Sequence, residues 1–248
     1  DPSDEYRGFR PHDNLKKTVP AVVSAEPEGV LICGDLARLL GQPADYAQAK
    51  TLLEPLTSNA PLGLLLGNHD NRKSFLEAFG PAQQGVQKVQ GRHVVVIESG
   101  PVRLVLLDSL LETNVTPGLL GKAQRTWLQT FLAKADSRPT LIFVHHTLDD
   151  NDGSLTDVDR LFAIVRGHRQ VKAIVYGHSH RYAFDKLDDG LHLINLPAVG
   201  YNFNDGEPVG WVDSRLSAEG GDFTLHAFAG NRERDGKTVS VSWRNGRP

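Results

Sequence analysis

The hydrophobic pattern of the chain falls into short, near-continuous apolar runs separated by amphipathic stretches. Val30-Leu31-Ile32-Cys33, Leu62 to Leu66, Val94 to Ile97, Leu104 to Leu107, Leu141 to Val144 and Ala173 to Tyr176 have strand length and are rich in β-branched residues. Runs without polar alternation predict strands buried on both faces. Between them the period becomes helical. Tyr46 to Leu56, Lys73 to Phe79, Lys122 to Lys134 and Asp157 to Val165 are predicted helices. In the third, Trp127, Leu128, Phe131 and Leu132 form one stripe; in the fourth, Leu161, Ile164 and Val165 face inward. An earlier helix, around Asn14 to Ser24, has Leu15, Val19, Val22 and Val23 on one face, with Pro20 able to move its start a turn later. Strands alternating with helices predict a layered α/β architecture with crossover connections.

The C-terminal third reads differently. Leu191 to Leu196, Phe223 to Phe228 and Thr238 to Trp243 have strand character but are separated by Gly- and Asp-rich turns, which predicts an antiparallel component. Two packed sheets flanked by helices fit this pattern. No repeat, low-complexity segment or long charge run marks a boundary, so residues 1–248 are expected to form a single domain.

Composition narrows the function classes. With 248 residues, 40% hydrophobic, 23% charged and a net charge of −3, the chain reads as an ordinary soluble protein. That balance argues against a disordered chain and against long nucleic acid as a partner. Cys33, the single cysteine, has no internal partner, and no apolar run approaches the roughly 18 residues that span a bilayer. No membrane partner is expected. Ten histidines and the absence of methionine, even at position 1, stand out. The expectation is that residue 1 is not a translation start. A removed signal peptide and a shortened chain both fit, leaving cytoplasm and export open.

The chemistry gathers where buried strands end. Val30–Cys33 is followed by Gly34-Asp35, Leu62–Leu66 by Gly67-Asn68-His69-Asp70, Leu141–Val144 by His145-His146, and Ala173–Tyr176 by Gly177-His178-Ser179-His180. In open α/β sheets, ligands bind outside the carboxyl ends of strands, so these tips can converge. Singly, each motif has a plain alternative. Gly-Asp fits a turn carboxylate, and Asn-His-Asp fits local loop hydrogen bonds. Of His145 and His146, neighbours on an extended segment, one at most faces the site, whereas His178 and His180 share a face. Four such tips together point to a metal site.

In that order, Gly34-Asp35, Gly67-Asn68-His69-Asp70, His145 and Gly177-His178-Ser179-His180 resemble the motif series of the calcineurin-like metallophosphoesterases. The resemblance runs from about Leu15 to Leu196. Leu107-Asp108-Ser109 followed by Gly121, Gln124, Trp127 and Leu128 resembles, more loosely, the bacterial phosphodiesterase branch. The resemblance implies a four-layer αββα sandwich of two mixed β-sheets flanked by helices, with two divalent metal ions (manganese, iron or zinc) in the cleft. It implies that Asp35 bridges the two metals, that Asn68, His145 and His178 complete one site, and that His180 serves the other. His69 is implied as the general acid that protonates the leaving alkoxide, while metal-activated hydroxide attacks phosphorus. Asp70, Asp108 and His146 are neighbours able to orient an imidazole or to contact substrate, with turn or capping roles as the alternative. Asp149, Asp150 and Asp152 fit a solvated charge cluster equally well.

The implied activity is hydrolysis of a small phosphodiester or phosphomonoester. The competing reading is a degenerate member that binds one metal or none and acts as a binding module. It rests on a departure: the family's opening Asp-x-His motif has no counterpart here. Ser3-Asp4-Glu5 and Pro11-His12-Asp13 carry suitable atoms, but neither follows an apolar run. The expectation is that the first strand and its Asp-x-His lie upstream of Asp1. Thr147 stands where the bacterial branch usually has proline. Tyr201-Asn202-Phe203-Asn204 and the stretch from His146 to Arg160 are candidate substrate contacts. No G-x-G-x-x-G follows a strand, which leaves a Rossmann dinucleotide enzyme without support.

Overall fold

The computed structural model describes residues 4–245. Its first half contains α1 (Pro11–Ser24), β1 (Val30–Ile32), α2 (Pro43–Thr57), β2 (Leu62–Leu64), α3 (Arg72–Phe79), β3 (Val86–Val89), β4 (Arg92–Ser99) and β5 (Val102–Leu106). There follow α4 (Gly121–Lys134), β6 (Thr140–Phe143), α5 (Val158–Arg166), β7 (Val171–Tyr176), β8 (Ala183–Lys186), β9 (His192–Asn195), β10 (Pro208–Leu216), β11 (Gly220–Gly230) and β12 (Thr238–Ser242). The main sheet has the order β3-β4-β5-β6-β7-β9-β8. Strands β5, β6, β7 and β9 run parallel, and α4 and α5 supply the crossovers that parallel neighbours require.

Alternation along the central strands decides the layers. β5, β6 and β7 are buried at every position, so each feeds two cores. Val105, Ile142, Val144 and Ile174 pack with Leu128 and Leu132 of α4 and with Leu161 and Val165 of α5. Leu104, Leu106, Leu141, Phe143 and Val175 pack the other way, against Leu31, Leu65, Phe223 and Trp243 of the second β layer. Beyond that layer, Val19 and Val22 of α1 and Leu53 and Leu56 of α2 cover Val30, Ile32 and Leu62, and Tyr46 and Phe75 cover Leu64 and Leu66. Helices, sheet, sheet and helices therefore stack in four layers.

Several details differ from the sequence expectation. The second β layer is not one mixed sheet: among the described residues it consists of a parallel pair, β1–β2, and an antiparallel set, β10–β11–β12. β9, expected in the antiparallel part, pairs antiparallel with β8 but also joins the main sheet, parallel to β7. β1 is half-buried throughout instead of fully buried; among the described residues β2 is the one strand hydrogen-bonded to it. Helix α1 begins at Pro11, where the missing proline N–H is no loss, and continues past Pro20. No helix among the described residues is long and apolar enough to cross a membrane.

Candidate metal centre

The four predicted strand tips meet. Gly34 has φ +95°, and a Cβ there would lie 2.5 Å from His145 Nδ1 and 2.7 Å from the Gly67 amide nitrogen. Glycine thus lets the loops after β1, β2 and β6 touch. Asp35, His178 and His180 have φ of +53°, +68° and +54°. Non-glycine residues rarely adopt this left-handed region, which costs of order 1–3 kcal/mol per residue and persists where surrounding contacts enforce it.

Three ligand-type atoms converge. His145 Nε2 lies 3.3 Å from Asp35 Oδ2 and 3.3 Å from His178 Nδ1. The ligand atoms of Asp35, His145 and His178 all lie within 4.8 Å of one another. Orientation comes from the other side of the ring: His145 Nδ1 donates to the Cys33 carbonyl at 2.7 Å, turning Nε2 inward. Asp35 Oδ1 accepts the His69 backbone N–H at 2.9 Å. Asn68 is buried, and its Oδ1 has no hydrogen-bond partner. A carboxylate and two imidazoles within 4.8 Å of one another, with an unpartnered amide oxygen on the residue preceding His69, whose N–H bonds Asp35, form a donor set that fits a divalent cation.

Burial alone would raise the Asp35 carboxyl, but the His145 charge and hydrogen bond, with the His69 N–H, hold it well below the ordinary carboxylate range. For His145, burial opposes protonation, yet Asp35 wins and raises its pKa. Burial, followed by the His145 charge, pushes His178 down to about 4. Burial also takes His180 to about 4, partly offset by the Tyr201 backbone. His178 and His180 thus offer the neutral lone pair that a metal requires, whereas a cation bound at His145 displaces the Nε2 proton that Asp35 favours. His180 is not in the tight Asp35–His145–His178 cluster; its Nδ1 is buried without a partner, and its ring packs on Tyr201 and Phe203.

The neighbouring carboxylates act on the loops instead of on an imidazole. Asp70 accepts from the amides of Leu36, Ala37 and Gly67 and from the Tyr46 hydroxyl, clamping the Asp35 loop to the Asn68 loop. Burial, then the Asp35 charge, raises Asp70 to about 6. Asp108 pairs with Arg72 and caps the amides of His93 and Leu110, while Gln124 holds its backbone at both N–H and carbonyl. Imidazole orientation falls to groups the sequence did not single out for it, the Cys33 carbonyl for His145 and Ser109 for His146. Ser109 Oγ lies 2.7 Å from His146 Nδ1. Burial and the adjacent His145 and His178 charges lower His146 to about 2, so it is neutral.

Other candidates are scaffold. Thr147 Oγ1 bonds Ser154 Oγ, which donates to Asp149, knitting the loop after His146; Asp150 and Asp152 are exposed. His12 and Asp13 pair with each other at the start of α1 and do not join the Asp35 cluster. Ser3 lies outside the described residues.

The family model for calcineurin-like phosphoesterases matches residues 8–182, a span holding every strand tip described above. The chain belongs to the calcineurin-like phosphoesterase family. It is accordingly a metal-dependent hydrolase of phosphoric ester bonds. A probable cyclic nucleotide phosphodiesterase of Vesicomyosocius okutanii is 26% identical over 212 residues, 82% of this chain and 84% of that relative. The glycerophosphodiester phosphodiesterase GpdQ of Enterobacter lignolyticus is 31% identical over 181 residues, 70% of this chain and 63% of that relative. In fold, this phosphoesterase is similar to a dimetal phosphatase from Danio rerio, with a TM-score of 0.73 over 93% of this chain and 88% of that one, at 16% identity.

Proposed function

We propose that this phosphoesterase hydrolyses small phosphodiesters, with Asp35, Asn68, His145 and His178 holding one divalent cation, Asp35 and His180 contributing to a second, and His69 as general acid. The observation that carries the proposal is the convergence of the ligand atoms of Asp35, His145 and His178; the buried Asn68 Oδ1, left without a partner, supports it. When bound, divalent cations neutralise phosphoryl charge and acidify coordinated water to near neutrality. The chain's own residues do the rest. His145 and the His69 N–H keep Asp35 ionised, and the Cys33 carbonyl fixes the tautomer of His145. His69 is half-buried beside the buried Asn68, where its imidazole binds a phosphoryl oxygen and gives its proton to the departing alkoxide. The diester preference is supported by the two phosphodiesterase relatives.

Among the described residues, the second cation position draws on Asp35 and His180. β1 offers an edge not paired in the described sheets, and β10, in the same layer, is also an edge strand. A one-metal binding module without turnover is the second reading, and it would show as metal binding without hydrolysis. Hydrolysis of bis(p-nitrophenyl) phosphate against p-nitrophenyl phosphate tests the proposal. The diester is expected to react faster by about tenfold or more, a difference of roughly 1.4 kcal/mol in barrier. Monoester preference contradicts the diesterase assignment, and metal binding with no turnover of either supports the binding module.

A further inference from the structure

Beside His180 the surface carries a connected series of aromatic rings. Phe203 stacks on the His180 imidazole, with centroids 4.4 Å apart and planes at 21°. Tyr201 meets both, edge-on to His180 at 4.6 Å and to Phe203 at 5.5 Å. Tyr6 extends the series, edge-on to Tyr201 at 4.7 Å, and the Arg38 guanidinium lies 5.9 Å from its centroid. A tight turn holds Tyr6 in place: Tyr6 and Phe9 exchange backbone hydrogen bonds of 2.8 and 2.9 Å around Arg7 and Gly8, both at positive φ. Arg7 Nη2 donates to the Phe203 carbonyl at 2.8 Å, tying this turn to the Phe203 loop.

Isolated exposed aromatics need no explanation, but these rings are neither isolated nor covered. Phe203 is 47% exposed and Tyr6 40% exposed, although each has a ring neighbour on one side. Phe203 spends one face on the imidazole and keeps substantial surface open to solvent beside the site. Open ring surface held by a hydrogen-bonded loop suits a planar π-system better than a flexible aliphatic chain, because stacking needs no further ordering of the protein.

We propose that Phe203, Tyr201 and Tyr6 form a stacking platform for the base of a nucleotide substrate, with Phe203 as its principal ring. The proposal rests on the phosphodiesterase reading above and adds a substrate-selecting role for residues that touch neither phosphorus nor the leaving oxygen. Base–aromatic stacking measured by alanine substitution is worth about 5- to 150-fold in affinity.

The test is equilibrium binding of 5′-AMP and of ribose 5-phosphate, which share the sugar and the phosphomonoester and differ in the base. The metal-loaded protein as wild type, Phe203→Leu and Phe203→Tyr is titrated with each. Wild type is expected to bind 5′-AMP at least about tenfold more tightly than ribose 5-phosphate. Phe203→Leu keeps apolar bulk without a ring and is expected to bring the ratio within about threefold, while Phe203→Tyr preserves it. General damage to the site lowers both affinities and leaves their ratio. No preference in wild type, binding of neither ligand, or a ratio retained by Phe203→Leu overturns the platform. Turnover of bis(p-nitrophenyl) phosphate by the same preparation reports separately on the phosphodiesterase reading, so the two failures are distinguishable.

Discussion

Asp35→Ala is expected to lower kcat/KM on bis(p-nitrophenyl) phosphate by about a thousandfold or more and to reduce bound metal together with it. Loss of a residue behind a metal ligand already costs about 10- to 100-fold, and Asp35 is proposed as the ligand shared by both cations. Its replacement also strands its neighbours. The His69 N–H loses its acceptor, and His145 Nε2 and His178 Nδ1, 3.3 Å apart, lose the negative charge that accompanies them. Folding should survive, because Asp70 still holds the amides of Leu36, Ala37 and Gly67 together when the single Asp35–His69 bond between the loops is lost. Metal content by mass spectrometry, circular dichroism and steady-state rates check all three statements. An Asp35→Ala protein that keeps its metal and its rate contradicts the assignment.

His69→Ala is expected to separate metal binding from catalysis. General-acid assistance contributes about 10²–10⁴-fold, so kcat on a diester with an alkoxide leaving group should fall by that order. The fall should be much smaller for p-nitrophenolate, which departs without protonation. Metal content should match wild type, since the bond to Asp35 comes from the His69 backbone, which alanine retains. Equal losses on alkyl and p-nitrophenyl diesters, or loss of metal, would remove His69 from the general-acid role.

The contrast between these two residues bears on what the sequence makes legible. Buried parallel strands announce themselves: Leu104–Leu107, Leu141–Val144 and Ala173–Tyr176 are apolar at nearly every position because both of their faces are covered. Their polar tips are legible for the same reason, as abrupt changes after an apolar run. Edge and hairpin strands are not. Val86–Val89 has partly exposed alternate positions, Ala183–Lys186 ends in exposed Asp185 and Lys186, and Pro208–Leu216 contains Pro208, Gly210 and Asp213. These become strands through pairing, not through their own residue preference. Within the site, the imidazoles were legible, but what orients them was not. The Cys33 carbonyl is a backbone atom 112 positions from His145 and leaves no trace in residue type. Asp70 was visible as a carboxylate, but its role as a clamp for three amides and the Tyr46 hydroxyl required the folded loops.

The central claim is that the cluster of Asp35, His145 and His178 with Asn68 is a metal centre on which phosphodiester hydrolysis depends. It is tested most directly by stripping the native protein with a chelator, removing the chelator, and following hydrolysis of bis(p-nitrophenyl) phosphate while manganese or zinc is returned. Activity should fall to background on stripping and recover in step with cation binding, and His145→Ala should abolish both binding and recovery. Full activity in the stripped protein, or recovery that does not depend on His145, would contradict the claim.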